Sequence, residues 1–251
     1  MRAGQPQQPA SGLQAAGWLL WLAGAHVNMA LALVGLAAAW IGLTWSVVLF
    51  WRLVLGSDVA DRVHAKTVGV GGVVGVLCLA GVGLALAAGQ PALALVLVRT
   101  ALWGFIVVTF VAVAHRMIPF FTSSVLPMIE IWRPFWVLWL MLGIAAFEVL
   151  ALWVDWALPP PRWWTLLVMA VEIAVGAVLI WLAVVWGLVQ SLKNKLLAML
   201  HIGFLWLGVA FLLGGLAQWL AVGLGVGSLG LGALHALSMG CLASLMLAMV
   251  T

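Results

Sequence analysis

The chain has 251 residues, 67% of them hydrophobic and 6% charged, with a mean hydropathy of +1.28 and a formal net charge of +4. A soluble domain carries about 25% charged residues, so this composition excludes one and requires an integral membrane protein. Long apolar runs without alternation exclude a barrel and specify an all-α, polytopic transmembrane helical bundle. The basic residues fall between the apolar runs and form no patch suited to nucleic acid.

Residues 1–12 are polar and rich in Gln and Pro, without the basic start, short apolar core and cleavage site of a signal peptide, and read as a disordered tail. Residues 13–251 read as a single transmembrane domain. A spanning helix needs about 20 apolar residues, and about seven fit, near 25–54, 67–88, 92–118, 132–156, 163–189, 196–222 and 233–251, with 17–24 as an interfacial lead-in. In the second, Gly71, Gly75 and Gly83 remove side-chain bulk and suit close packing. The third ends on His115-Arg116-Met117-Ile118-Pro119-Phe120-Phe121-Thr122, where arginine anchors a helix and proline ends it. The connection that follows holds Pro127 and Glu130, and Pro159-Pro160-Pro161 makes a stiff turn before the fifth. Cys78 and Cys241 lie in apolar spans and read as core fillers. With 17 Trp and no Tyr, the aromatic belt at the membrane surface falls to Trp.

Basic residues set the orientation. Arg52, Arg62, Lys66, Arg116, Arg133, Lys193 and Lys195 share one side, against Arg162 and Arg2 on the other. The first side is expected in the cytoplasm and the N-terminus outside. Depth then sorts the polar residues. His115 and His201 lie toward the cytoplasmic side and His26 and His235 toward the outer side, while His64 sits in a charged, solvated connection. Arg99, Glu148 and Glu172 lie roughly 10–14 Å inside the outer ends of their spans. Ionisable residues at such depth usually face the bundle interior and find a partner, which suggests Arg99 set between the two carboxylates.

A lone intramembrane histidine is more often a packing residue than a ligand, but four paired by depth make metal binding a balanced alternative, because imidazole is the commonest metal ligand. Met29 and Met239 share helical faces with His26 and His235; thioether sulfur suits copper, although methionine is more often core filler. The face His201, Leu205, Gly208, Leu212, Gly215 leaves one side of the sixth span narrow, for close helix contact or for a flat cofactor.

Three segments resemble the NnrS family. The stretch from His115 to Thr122 is similar to its Gly-Arg-Val-Ile-Pro-Phe-Phe-Thr signature. Leu200-His201-Ile202-Gly203-Phe204-Leu205-Trp206 resembles its Leu-His-x-x-Tyr-x-Trp segment. Leu234-His235-Ala236-Leu237-Ser238-Met239-Gly240, continuing to Leu247-Ala248-Met249-Val250-Thr251, resembles its His-Ala-Leu-Thr-x-Gly region. The resemblance runs from about Ala92 to Thr251. It implies a bacterial inner-membrane protein that binds haem and copper and is linked to nitric oxide metabolism and nitrosative stress. His115 stands where the family has glycine, and the family's His-x-His-Glu and Gly-His-Thr-Gly-Arg stretches are missing, so a partial chain or shortened relative is expected.

Taken with the depths, the leading expectation is haem held by His26 and His235 with Arg99 neutralising a propionate, and a second metal site at His115 and His201. The partners are then the lipid bilayer and nitric oxide or another small diatomic ligand. The alternative is a proton-coupled transporter or channel using Arg99, Glu148 and Glu172; a third reading is a non-catalytic assembly partner. No nucleophile–base pair, phosphate-binding Gly-Lys motif or dinucleotide fingerprint points to an enzyme.

Overall fold

The structure, a computed structural model, describes residues 7–126, 128, 132–225 and 229–250; Pro127 and Glu130 lie outside them. Helices are α1 (Gln7–Val27), α2 (Met29–Leu55), α3 (Val63–Ala87), α4 (Pro91–Ala101), α5 (Val108–Val125), α6 (Phe135–Ala157), α7 (Arg162–Val185), α8 (Leu188–Ser191), α9 (Lys195–Trp219), α10 (Gly232–His235) and α11 (Ser244–Val250). Wider-wound π segments at Leu102–Val107, Leu220–Leu224 and Ala236–Ala243 interrupt or extend them, and no strand occurs among the described residues. Seven stretches are long and apolar enough to cross a membrane: Met29–Leu55, Val63–Ala87, Pro91–Val125, Phe135–Ala157, Arg162–Val185, Lys195–Leu224 and Gly232–Met249. The chain is an all-α membrane protein.

By internal contact the chain divides into two compact units, one reaching Thr109 and including Ala145–Trp153, the other comprising Phe110–Ile144 and Val154 onward.

In the first unit, α1 starts at Gln7, so the polar tail expected over 1–12 is helical from residue 7, and the lead-in expected at 17–24 belongs to the same helix. Asn28 turns the chain: its extended backbone breaks the helix and its side chain accepts from the Leu31 N–H at 2.8 Å, capping α2. α1 therefore doubles back along α2, with Gly17 against Gly35 and Ala39, Gly24 against Ala32, and Gly42 against Gln14. A Cβ on Gly24 would lie 2.5 Å from the Ala32 nitrogen, so small residues are what let the two backbones meet. α3 packs antiparallel on α2, joined by two indole N–H groups that donate to backbone carbonyls, Trp40 to Val76 and Trp51 to Gly69, each at 3.1 Å. Gly75 makes room for the Phe105 ring, and Gly71 for Val108 and the Gly104 carbonyl. The Arg62 guanidinium closes the end of α2 on the Val54 and Ser57 carbonyls. His64, expected to be solvated, is buried in the first turn of α3.

In the second unit α9 is the hub, the most buried of the seven spanning stretches, with α7, α8, α10, α11 and the Ala236–Ala243 segment packed on it. Against α7, a Cβ on Gly208 would lie 2.8 Å from Ile180 and 2.9 Å from the Gly176 carbonyl, and one on Gly215 would lie 2.6 Å from Ile173. The narrow face of the sixth span thus seats a helix and not a flat cofactor. Cys241 here, like Cys78 in the first unit, is a free, buried thiol.

Pro119 does not end its helix. α5 runs on to Val125, with Pro119 buried inside it. A proline in a helix interior deprives a carbonyl one turn back of its donor, and membrane helices tolerate this when local hydroxyls and neighbours re-satisfy the backbone. Thr122 donates to the Ile118 carbonyl at 2.8 Å, Ser123 to Phe120 at 3.0 Å and Ser124 to Phe121 at 2.9 Å, which binds the turns after the proline together.

Candidate functional site

The four histidines expected at the site have different surroundings. His26 is exposed in the last turn of α1, in the first unit; His235 is exposed at the end of α10, in the second. His115 and His201 are almost wholly buried, both in the second unit.

His115 is held by its surroundings on α6 and beyond. Its Nε2 lies 3.1 Å from the Pro134 carbonyl; a carbonyl only accepts, so Nε2 carries the proton. The ring faces Phe135 and Trp186, each at 6.3 Å between centroids, and the Trp186 indole donates to the Trp132 carbonyl at 3.0 Å. Trp186 in turn lies 4.9 Å from Phe204, one turn from His201 on α9.

His201 has a different partner. Its Nε2 is 2.9 Å from the Thr122 hydroxyl oxygen. That hydroxyl has one proton, and with it directed to the Ile118 carbonyl the oxygen accepts from His201. The imidazole is therefore protonated on Nε2 and bare on Nδ1, and Nδ1 is buried with no hydrogen-bond partner. A buried, unpartnered acceptor is uncommon and costly. His115 and Thr122 stand seven residues apart on α5, about 10 Å along the axis, and the two histidines are thus engaged at different levels of the same helix.

At His235, Nδ1 lies 2.8 Å from the Leu231 carbonyl, so Nδ1 donates and Nε2 keeps the lone pair. This is how ligating histidines are usually held: the distal nitrogen fixes ring and tautomer, leaving the other for a metal. The Ala236–Ala243 π segment begins at the next residue, and such widened turns recur at functional sites. Met239, in that segment, is exposed.

The charged residues divide between the units. Arg99 is exposed in the last turn of α4, and Glu148 is half-buried on α6, both in the first unit. Their neighbourhood is tied by the Trp153 indole, which donates to the buried Thr100 hydroxyl at 3.0 Å. Glu172 is buried in the second unit, where its Oε2 accepts from the Gln218 amide at 3.0 Å and its carboxyl lies against Gly214. Arg116 is exposed on α5 and lines an open cavity with Met117, Phe120 and Arg133.

Sequence reasoning missed Thr122 as the partner of His201 and Gln218 as the partner of Glu172. The signals were slight: Thr122 lies in the quoted motif a heptad beyond His115, and Gln218 is the one amide in the sixth span. Among the described residues, no three His, Cys, Asp or Glu side chains converge as a ready metal cage.

These features define the class: a polytopic helical membrane protein whose spans carry histidines with fixed tautomers and bare ring nitrogens. The family described as NnrS protein matches residues 4–251, reaching well upstream of the three motifs, and the chain belongs to that family. No curated relative and no solved structure matches it.

Proposed function

We propose that this chain is a multi-pass protein of the bacterial inner membrane that binds haem and copper through intramembrane histidines and serves nitric oxide metabolism or the response to nitrosative stress. The observation that carries the reading is His235, whose Nδ1–H is tied to Leu231 so that Nε2 is left as a lone-pair donor in open surroundings. The unpartnered Nδ1 of His201 supports it from the interior, as a nitrogen that a metal would satisfy. His235 would hold the haem, and His201 the second metal, with His115 fixing the helix that carries Thr122. When bound, haem and copper supply redox-active metal centres to which a diatomic ligand can coordinate.

The work left to the chain's own residues is orientation. The Leu231 carbonyl holds the His235 ring and keeps its proton on Nδ1. Thr122 holds the proton of His201 on Nε2. α7 packs directly on the glycine face of α9, at Gly176 and Gly208, and holds that helix in place. The end of the spans that carries Arg52, Arg62 and Lys66 is proposed to face the cytoplasm.

The test is an optical spectrum with metal analysis of purified protein. A Soret band with stoichiometric iron, lost in His235→Ala and kept in His64→Ala, is the expected result. A protein without the band, or a band indifferent to His235→Ala, would overturn the assignment. A second reading, proton movement through the membrane, rests on the buried Glu172 carboxyl held by a neutral amide.

A further inference from the structure

The motif that identifies the family contains an arginine that no reading of the histidines uses. Arg116 lines a cavity of about 260 Å³ together with Met117, Phe120 and Arg133. Both guanidiniums are exposed, and among the described residues neither has an anionic partner. Two like charges sharing a cavity repel one another, and a bound anion would relieve that.

The depth of the cavity shows which anion. The stretch Pro91–Val125 has 35 residues, but about 20 cross the hydrocarbon core. A helix entering at Pro91 leaves the core shortly before Arg116. On the neighbouring span, Arg133 stands just ahead of the first residue of α6, Phe135. Both charges therefore lie at the level of lipid headgroups. Phe120 (54% exposed), Trp136 (48%) and Trp132 (40%) present rings at the same level, where aromatic side chains sit among headgroups. The start of α6, where Pro134 brings no side-chain cap, adds the positive end of a helix dipole.

We infer that Arg116 and Arg133 form a binding site for the phosphate group of an anionic phospholipid, with Met117 and Phe120 beside its glycerol and upper acyl region. Guanidinium matches a phosphate oxygen pair in bidentate fashion, and basic pockets of this kind between membrane helices take anionic headgroups. The site is independent of haem and copper.

Native mass spectrometry of the full chain in detergent, titrated with phosphatidylglycerol, phosphatidylcholine or inorganic phosphate, tests it. Phosphatidylglycerol should bind more tightly than phosphatidylcholine, and Arg116→Gln or Arg133→Gln should each weaken it on the order of tenfold. Arg52→Gln, which removes an exposed charge from the last turn of α2, should leave it unchanged. Should Arg116→Gln disturb α5, Arg133→Gln still decides, because Arg133 lies outside the helices. Equal weakening by Arg52→Gln would reduce the effect to overall charge. Inorganic phosphate competing at the lipid's own affinity would make this a free-anion site. Either result overturns the proposal.

Discussion

Thr122→Val isolates the contact that fixes the buried histidine. Valine keeps the branched shape and removes the hydroxyl, so the His201 Nε2–H loses its acceptor. The ring has no way out by changing tautomer, because Nδ1 is also buried and has no partner to receive a proton. One buried N–H is unsatisfied in either form, which costs about 1–3 kcal/mol. The Ile118 carbonyl loses only a secondary donor, so little is added from that side. For a chain of this size about 2–4 °C of melting temperature accompanies each kcal/mol, and a fall on the order of 2–12 °C in detergent is expected. Thr122→Ser keeps the hydroxyl and should recover most of it. Long-range proton–nitrogen NMR of the His201 ring supplies a readout that general loosening does not move: wild type and Thr122→Ser should show protonated Nε2, and Thr122→Val a mixture. An unchanged melting temperature together with an unchanged ring pattern in Thr122→Val would refute the reasoning.

Gly208→Leu puts a side chain where a Cβ alone would lie 2.8 Å from Ile180 and 2.9 Å from the Gly176 carbonyl. Overpacking of this kind costs about 1–3 kcal/mol or more, read as loss of folded protein on heating in detergent, whereas Gly143→Ala, with nothing within 4 Å of its new Cβ, should be neutral or stabilising by up to about 1 kcal/mol. If Glu172 carries protons, pH-gradient-driven flux in liposomes should disappear in Glu172→Gln and in Glu148→Gln while the variants still fold; flux equal to wild type would dispose of that reading.

The fold was legible because its main determinant is composition. Seven apolar stretches long enough to span need only a count. Pro119 shows where counting fails. A proline normally closes a helix, yet here the hydroxyls of Thr122, Ser123 and Ser124 hold the following turns and carry α5 on to Val125. The α1–α2 hairpin was missed for a related reason. α1 starts polar and turns apolar, so it reads as a tail and a lead-in until Gly17, Gly24, Gly35 and Gly42 are seen as one contact surface, and that depends on the turn at Asn28. His64 was misplaced because its charged neighbours suggested solvent, whereas the first turn of α3 points it inward.

The candidate site was legible as a list of residues and not as an arrangement. Histidines announce possible ligands by type, but a ligand also needs a bare nitrogen, and which nitrogen is bare depends on partners many residues away, such as Thr122 for His201. The same consideration separates the two proposed metal roles. A flat cofactor needs space on both faces of its plane, and the glycine face of α9 that seemed able to offer it is filled by α7, with Gly176 and Gly208 in backbone contact. His201 sits on that packed helix, fully buried, and its Nδ1 has no hydrogen-bond partner. His235 combines a fixed tautomer, an open environment and a widened helical turn immediately after it. If haem binds in this unit, crowding and hydrogen bonding together favour His235, and they do so without reference to the family motif in which it lies.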